Sequence, residues 1–83
     1  MIINFLIIIQ VYMEEIYIKD EYIRLGQALK LAGLVGSGVD AKFVIQEGHV
    51  KYNGEVVYER GRKCREGDIF EYDNTKVMVK NAY

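Results

Sequence analysis

The sequence has no proline, one cysteine and one histidine, and these scarcities exclude several classes of protein. The lone cysteine, Cys64, forms neither an internal disulfide nor a cysteine-rich zinc site, so the chain fits a reducing compartment, with the cytoplasm as the default. Catalysis by a nucleophile with a histidine base would need Cys64 to meet His49, and nothing local brings them together. The acidic residues lack metal-ligand spacing, and the glycines form no phosphate-cradling loop signature. We therefore expect a protein that is not an enzyme, with no metal and no cofactor.

The first twelve residues, MIINFLIIIQVY, carry no charge and are nearly all apolar. They lack the basic start and the small-residue cleavage site of a signal peptide, and they are shorter than the roughly 20 residues that span a bilayer as a helix. Two interpretations remain open: a real edge strand, or an upstream extension before a natural start at Met13. We predict an apolar N-terminal extension at residues 1–12 and a domain at residues 13–83.

The composition is typical of one soluble, compact domain, because 51% of the 83 residues are hydrophobic and 28% are charged. Its net charge of -1 conceals a segregation of charge. Residues 42–65 hold six basic and three acidic residues, whereas acidic residues outnumber basic ones on both flanks. Screening limits exposed charges to neighbours within roughly 8 to 10 Å, so a local basic surface can attract a polyanion although the chain is slightly acidic.

Apolar periodicity predicts two short helices. Residues 25–32 place apolar side chains at i, i+3, i+4 and i+7, and Gly33 can end that helix in the left-handed conformation. Ser37 and Asp40 fit a capping box at the start of a second helix, which Gly48 ends. The segment between the helices is short, so we expect them to pack side by side.

Alternating residues predict the strands. A first strand is expected at residues 16–18, and the final one, at residues 76–80, is expected to pair with it. Between them lie strands at residues 50–53, 55–58 and 68–72, the first two of which are joined by an Asn-Gly turn. The predicted fold is α+β, with two short packed helices against a small, mainly antiparallel sheet.

The stretch GHVKYNGEVVYERGRKCR, residues 48–65, begins as this hairpin and ends with four basic residues in six positions. Lys42 lies near the start of the second helix, whose amide groups favour an anion, and Lys51 should point outward from the next strand. With the cations of residues 60–65, in a connection that Gly61 keeps pliable, they could follow a phosphate backbone. Ordinary solvated surface charge is the alternative that remains open on charge alone.

Residues 24–54, RLGQALKLAGLVGSGVDAKFVIQEGHVKYNG, resemble the αL RNA-binding motif, or S-four domain, and in particular its small stand-alone bacterial YaaA/YbcJ-like branch. The matching features are an opening Arg-Leu, a serine helix cap, an Ala-Lys pair in the second helix and an Asn-Gly turn. Two positions depart from the family pattern, since Gly26 stands where many members have Asp and Gly38 where many have an RNA-contacting Arg. The resemblance implies a module that binds structured RNA, rRNA or tRNA, in ribosome assembly or translation.

The basic pattern and the resemblance together predict the partner and the site. We expect structured RNA, within ribosomal particles or free, as the partner, with no membrane and no small-molecule substrate. Phosphate and shape contacts should dominate over base reading. The predicted RNA-binding residues are Arg24, Lys30, Ser37, Lys42, Lys51, Asn53, Arg60, Arg62, Lys63 and Arg65.

Two other classes of function are alternatives. A β-grasp sulfur carrier combines similar strands, helices and turns, but such carriers react through a C-terminal Gly-Gly, whereas this chain ends KNAY. A small protein-protein adaptor would dock through the apolar N-terminal strand. Retention on ribosomes and bulk RNA at low and high salt distinguishes these classes from an RNA-binding module.

Overall fold

The computed structural model describes residues 13–82, so the predicted extension at residues 1–12 lies outside the described residues. Two helices and a mainly antiparallel sheet confirm the predicted α+β class. In chain order the elements are β1 (Glu14–Ile18), β2 (Ile23–Arg24), α1 (Leu25–Leu31), α2 (Gly38–Gln46), β3 (Val50–Tyr52), β4 (Glu55–Val56), β5 (Lys63–Cys64), β6 (Ile69–Tyr72) and β7 (Thr75–Asn81). Neither helix in residues 13–82 is long and apolar enough to cross a membrane.

Within residues 13–82, five strands form the main sheet in the order β1-β7-β6-β3-β4. The pairs β7-β6, β6-β3 and β3-β4 are antiparallel, whereas β1 and β7 run parallel, with Ile16 opposite Val79. A parallel neighbour requires a long crossover connection, and both helices and the intervening strands supply it. The predicted pairing of the first and last strands is therefore confirmed.

Two tight turns set the register of the antiparallel strands. Asn53 and Gly54 have φ angles of 49° and 89°, as the predicted Asn-Gly hairpin requires. Asp73 and Asn74, with φ angles of 55° and 64°, form a similar turn between β6 and β7. Because that turn needs only two residues, β7 begins at Thr75, one residue earlier than predicted.

A glycine with a positive φ angle follows the C-cap of each helix and terminates it. Gly33, after α1, has a φ of 76°, and the N–H groups of Gly33 and Leu34 donate to the carbonyl oxygens of Lys30 and Leu29 at 2.9 and 3.0 Å. Gly48, with a φ of 82°, ends α2 in the same pattern. This Schellman arrangement needs a left-handed residue, which glycine adopts without strain.

The helices pack on one face of the main sheet and enclose the core. Its fully buried side chains include Leu25, Leu29 and Ile45 from the helices and Val50, Phe70, Val77 and Val79 from the sheet. Successive strand residues point to opposite faces, so Lys51, next to buried Val50, projects from the face away from the helices. β4 ends two residues earlier than predicted, and Val57 packs into the core.

A second sheet, which the sequence pattern does not predict, pairs β2 with β5. The predicted pliable connection at residues 60–65 is therefore wrong in part, because Cys64 lies opposite Ile23 and Lys63 lies opposite Arg24. The Cys64 side chain is fully buried in the core and anchors this segment. Two-residue strands are too short for alternation to reveal them, so only tertiary contacts define this pair.

Candidate nucleic-acid interface

The basic connector, defined as residues 59–65, docks on the start of α1. The N–H groups of the first two residues of α1 donate to the carbonyl oxygens of Arg62 and Arg60 at 2.8 and 2.9 Å. The Arg24 guanidinium donates to the carbonyl oxygen of Gly61 at 2.9 Å. Together with the pairing of β2 and β5, these bonds fix the backbone from which the connector's cations extend.

Beside this junction lies an open cavity of about 360 Å³, here called the basic groove. Three cations line it: Arg24 before α1, Lys30 within α1 and Arg60 in the connector. The other lining residues are Gly26, Gln27, Gly38, Ala41 and Gly61. Among residues 13–82, an anion in the basic groove would therefore meet three positive charges and no lining carboxylate.

Both departures from the family pattern lie in the basic groove. A Cβ at Gly26 would lie 3.5 Å from the Cβ of Arg60, so an aspartate there would bring a carboxylate among the cations. A Cβ at Gly38 would meet no heavy atom of residues 13–82 within 4 Å, so an arginine would have room among them. The two glycines thus remove one acidic and one basic group relative to the family pattern.

Helix α2 adds Lys42 beside the basic groove. Gly38 begins α2, and exposed Lys42 follows at i+4 on the same helical face. The Oγ of Ser37 accepts the N–H of Asp40 at 3.1 Å, which confirms the predicted serine cap and gives that hydroxyl a structural partner. Lys42 therefore extends the positive surface along α2, while Ser37 stabilises the start of the helix.

Tyr22, which immediately precedes β2, is surrounded by cations. The Nζ atom of Lys63 lies 4.8 Å from the ring centroid, and the Cζ atoms of Arg24 and Arg65 each lie 5.6 Å from it. Arg24 also lines the basic groove, so it belongs to both sets of cations. The sequence prediction omits Tyr22, although its spacing of two residues from Arg24 next to a strand is a signal that they share a side.

Arg62 differs from the other connector cations in its contacts. Its Cζ lies 4.9 Å from the centroid of the Tyr52 ring, and its Nη1 lies 3.7 Å from a carboxylate oxygen of Glu59. The Tyr52 hydroxyl donates to Asp68 at 2.5 Å, and burial together with this contact raises the pKa of Tyr52 to about 12. Arg62 thus stacks on a ring that is itself held in place.

Asn53 and Asp68 tie the hairpin turn to the segment after the connector. Asn53 Oδ1 accepts the N–H of Ile69 at 2.9 Å, and its Nδ2 donates to Asp68 at 3.3 Å. Asp68 also accepts the N–H of Arg65 at 2.8 Å. Burial opposes ionisation of Asp68, but the hydrogen bonds from Tyr52, Arg65 and Asn53 hold its pKa below the ordinary value. The Asn53 side chain therefore has structural partners within the fold.

Lys51 lies apart from the basic groove. Lys51 projects from the opposite face of the sheet, where its cross-strand neighbours are Glu71 and Val56, so the structure does not bring it together with the groove cations.

His49 is exposed, whereas Cys64 is fully buried, and burial raises the pKa of the Cys64 thiol to about 12. A buried thiol with a raised pKa is unsuited to nucleophilic attack.

Comparison with protein families agrees with this geometry. The family model described as S4 domain, the S-four domain of the sequence resemblance, matches residues 16–80, which include all seven strands in part or whole and both helices. The chain therefore belongs to the S4 domain family, a family of RNA-binding domains, and the resemblance is confirmed.

Two curated bacterial proteins are similar in sequence. The chain is 45% identical over 58 residues to the probable ribosome maturation protein RlbA of Bacillus subtilis, a match that covers 70% of this chain and 82% of the relative. It is 43% identical over 49 residues to the tyrosine–tRNA ligase of Nitrosomonas europaea, covering 59% of this chain and 12% of the ligase. The first relative is thus matched over most of its length, whereas the second is matched over one small part.

Proposed function

We propose that this chain is a non-catalytic RNA-binding module that recognises structured RNA through the basic groove and the cations around Tyr22. It acts in the cytoplasm, in ribosome assembly or translation, and its partners are rRNA or tRNA, free or within ribosomal particles. The observation that carries the proposal is the basic groove, where Arg24, Lys30 and Arg60 converge from three segments. No acidic residue of the described part of the chain, residues 13–82, lines this groove.

Recognition rests on phosphates and shape. The major groove of A-form RNA is too deep and narrow for side chains to read, whereas its phosphates are accessible to Lys and Arg. Each phosphate that a cation neutralises releases counterions, which favours binding at low salt. Backbone hydrogen bonds already fix the connector at Arg60 and Arg62, so little backbone order has to be gained on binding.

The names of the relatives support the setting. One is named for ribosome maturation and the other for a ligase that acts on tRNA, and both share the S4 region with this chain. We infer rRNA or tRNA as the RNA class for that reason. The adaptor alternative relied on residues 1–12, which lie outside the described residues.

Neutralising two cations of the basic groove tests the proposal. The variant Lys30→Gln with Arg60→Gln should bind a labelled structured RNA about 20-fold more weakly at 0.15 M salt, and its log-log salt slope should be smaller by roughly 1.4 to 1.8. Fluorescence anisotropy across a salt series measures both quantities. Cosedimentation with ribosomal particles extends the comparison to the proposed partner.

The matched control removes the same charge from the opposite sheet face, as Lys51→Gln with Lys76→Gln. This control should bind almost as the unmodified chain does, because its positions lie away from the groove. Equal weakening by both double variants would show that only net charge matters. A folded groove variant that binds normally would refute the assignment of the basic groove.

A further inference from the structure

We propose that Tyr22 is the positioning residue of a phosphate-binding site, in which its ring holds Arg24, Lys63 and Arg65 around the backbone phosphates of RNA. The inference rests on the proposed function and deepens it, because it adds a residue and an arrangement that the basic pattern alone does not indicate. Its ligand is the phosphodiester group, recognised by charge and hydrogen-bond donation.

The first supporting observation is a cluster of three cations around one ring. Tyr22 and Arg24 also line an open cavity together with the acidic residues Asp20 and Glu21. Lys63 Nζ and the Cζ atoms of Arg24 and Arg65 all lie within 5.6 Å of one ring centroid. Within residues 13–82 the ion pair that the structure forms joins Arg62 to Glu59, so none of these three cations has a carboxylate oxygen within 4.0 Å. The electron-rich face of the tyrosine ring offsets their mutual repulsion in the absence of a ligand.

The second observation is the backbone that presents the cluster. Lys63 lies opposite Arg24 in the β2-β5 pair. Cys64, between Lys63 and Arg65, is fully buried, so alternation along the strand turns both of its cationic neighbours away from the core. Tyr22 and Arg24 likewise flank Ile23, which is partly buried against the core. Four side chains are therefore directed to one side of a short, hydrogen-bonded ladder.

The cations on the Tyr22 ring favour phosphate binding over base stacking. A ring that already carries cations is not free to stack on an unpaired base. Two guanidinium groups and an ammonium group, however, offer many N–H donors that match phosphate oxygens. Because the ring restrains the cations before RNA arrives, less side-chain freedom is lost on binding. Tyr22 thus contributes to affinity without contacting the RNA itself.

A graded change in the ring tests this role in the full 83-residue chain. Tyr22 is replaced by phenylalanine and by phenylalanine with one, two or three ring fluorines, which progressively weaken the negative potential of the ring face. The probe is a fluorescently labelled A-form RNA hairpin. We expect the Phe variant to bind nearly normally and affinity to fall stepwise with fluorination, by roughly fivefold at three fluorines. The salt slope should stay unchanged because the cations are retained, and any fall in the thermal midpoint should be small enough to leave the chain fully folded at the titration temperature.

The same series at Tyr58, an exposed tyrosine beside Gly48, serves as the control and should be flat. A purely structural role of Tyr22 would move the thermal midpoint rather than RNA affinity. If the unmodified chain binds with a steep salt dependence but the Tyr22 series is flat, the positioning role is refuted while the proposed function stands. If the unmodified chain does not bind RNA, the proposed function fails and this inference fails with it.

Discussion

Replacing Gly38 with arginine should strengthen RNA binding. Gly38 is the first residue of α2 and lines the basic groove, and a Cβ there would meet no heavy atom of the described residues within 4 Å. An arginine at this position would project beside Arg24, Lys30 and Arg60 and supply the cation that many S4 domains carry there. The substitution therefore adds one phosphate contact to a groove that has space for it.

The size of the effect follows from counterion release. One added phosphate contact increases the log-log salt slope by roughly 0.7 to 0.9. If that contact contributes nothing at 1 M salt, it strengthens binding about 4- to 6-fold at 0.15 M and about 8- to 15-fold at 0.05 M. The gain should appear with unrelated structured RNAs alike, because a phosphate contact carries no base preference.

Folding stability should change little, because three small effects oppose one another. Arginine is a better helix former than glycine, by up to about 1 kcal/mol. A positive charge at the positive end of a helix costs about 0.3 to 1 kcal/mol. Repulsion from Lys42, four residues along α2, costs about 0.2 to 0.5 kcal/mol. A change in affinity would thus not reflect a change in the folded fraction.

The informative control is Gly38→Glu, with Gly38→Ala as the neutral reference. Glutamate suits the start of a helix and pairs favourably with Lys42 at i+4, so this variant should be the most stable of the three. It should nevertheless bind RNA most weakly. Anisotropy titrations from 0.05 to 0.5 M salt, with thermal unfolding alongside, separate the two quantities. Equal affinities of all three variants at low salt would refute an RNA path past the start of α2.

Two further predictions concern the core and the N-terminal segment. Burial raises the pKa of the Cys64 thiol from 9.0 to about 12. Above pH 9 the folded state therefore keeps a proton that the unfolded state releases. The free energy of unfolding should fall as the pH rises above 9, by roughly 1 to 2 kcal/mol at pH 10. Urea titrations should show this loss reduced in Cys64→Ala, and equal pH dependence in both chains would contradict it. Removal of residues 1–12 should leave a folded domain with unchanged RNA affinity. Circular dichroism and a binding titration measure these two properties. A truncated chain that cannot fold would show that the segment is an integral strand.

The elements that sequence reasoning predicts correctly are those with a local physical cause. The two helices follow from their apolar stripes, their glycine ends and the Ser37 cap, each of which acts within one or two turns. The Asn53-Gly54 hairpin follows from positive φ angles that few other residue pairs adopt readily. The pairing of β1 with β7 agrees with the prediction, which rests on the clear alternation of apolar residues in both strands.

The parts that sequence reasoning misses depend on contacts between distant segments. The β2-β5 pair joins residues about 40 positions apart through two-residue strands, which carry no periodic signal. Arg62 and Lys63 carry the same charge in the sequence but have different contacts in the fold. Arg62 stacks on Tyr52 and pairs with Glu59, whereas Lys63 faces Tyr22. Neighbouring strand residues differ in environment because they point to opposite sides.

One feature of the fold links stability to the position of the cations. Arg24 occupies the N-cap of α1 but provides no side-chain cap, although the first amide groups of a helix need acceptors. The carbonyl oxygens of Arg62 and Arg60 accept those N–H groups instead. Each such bond contributes about 0.5 to 1.5 kcal/mol to folding, so the connector is held at the start of α1 by a requirement of the helix itself. The cations of the connector are placed beside Arg24 as a consequence, and a positive surface can form there although charge repulsion alone would disperse it.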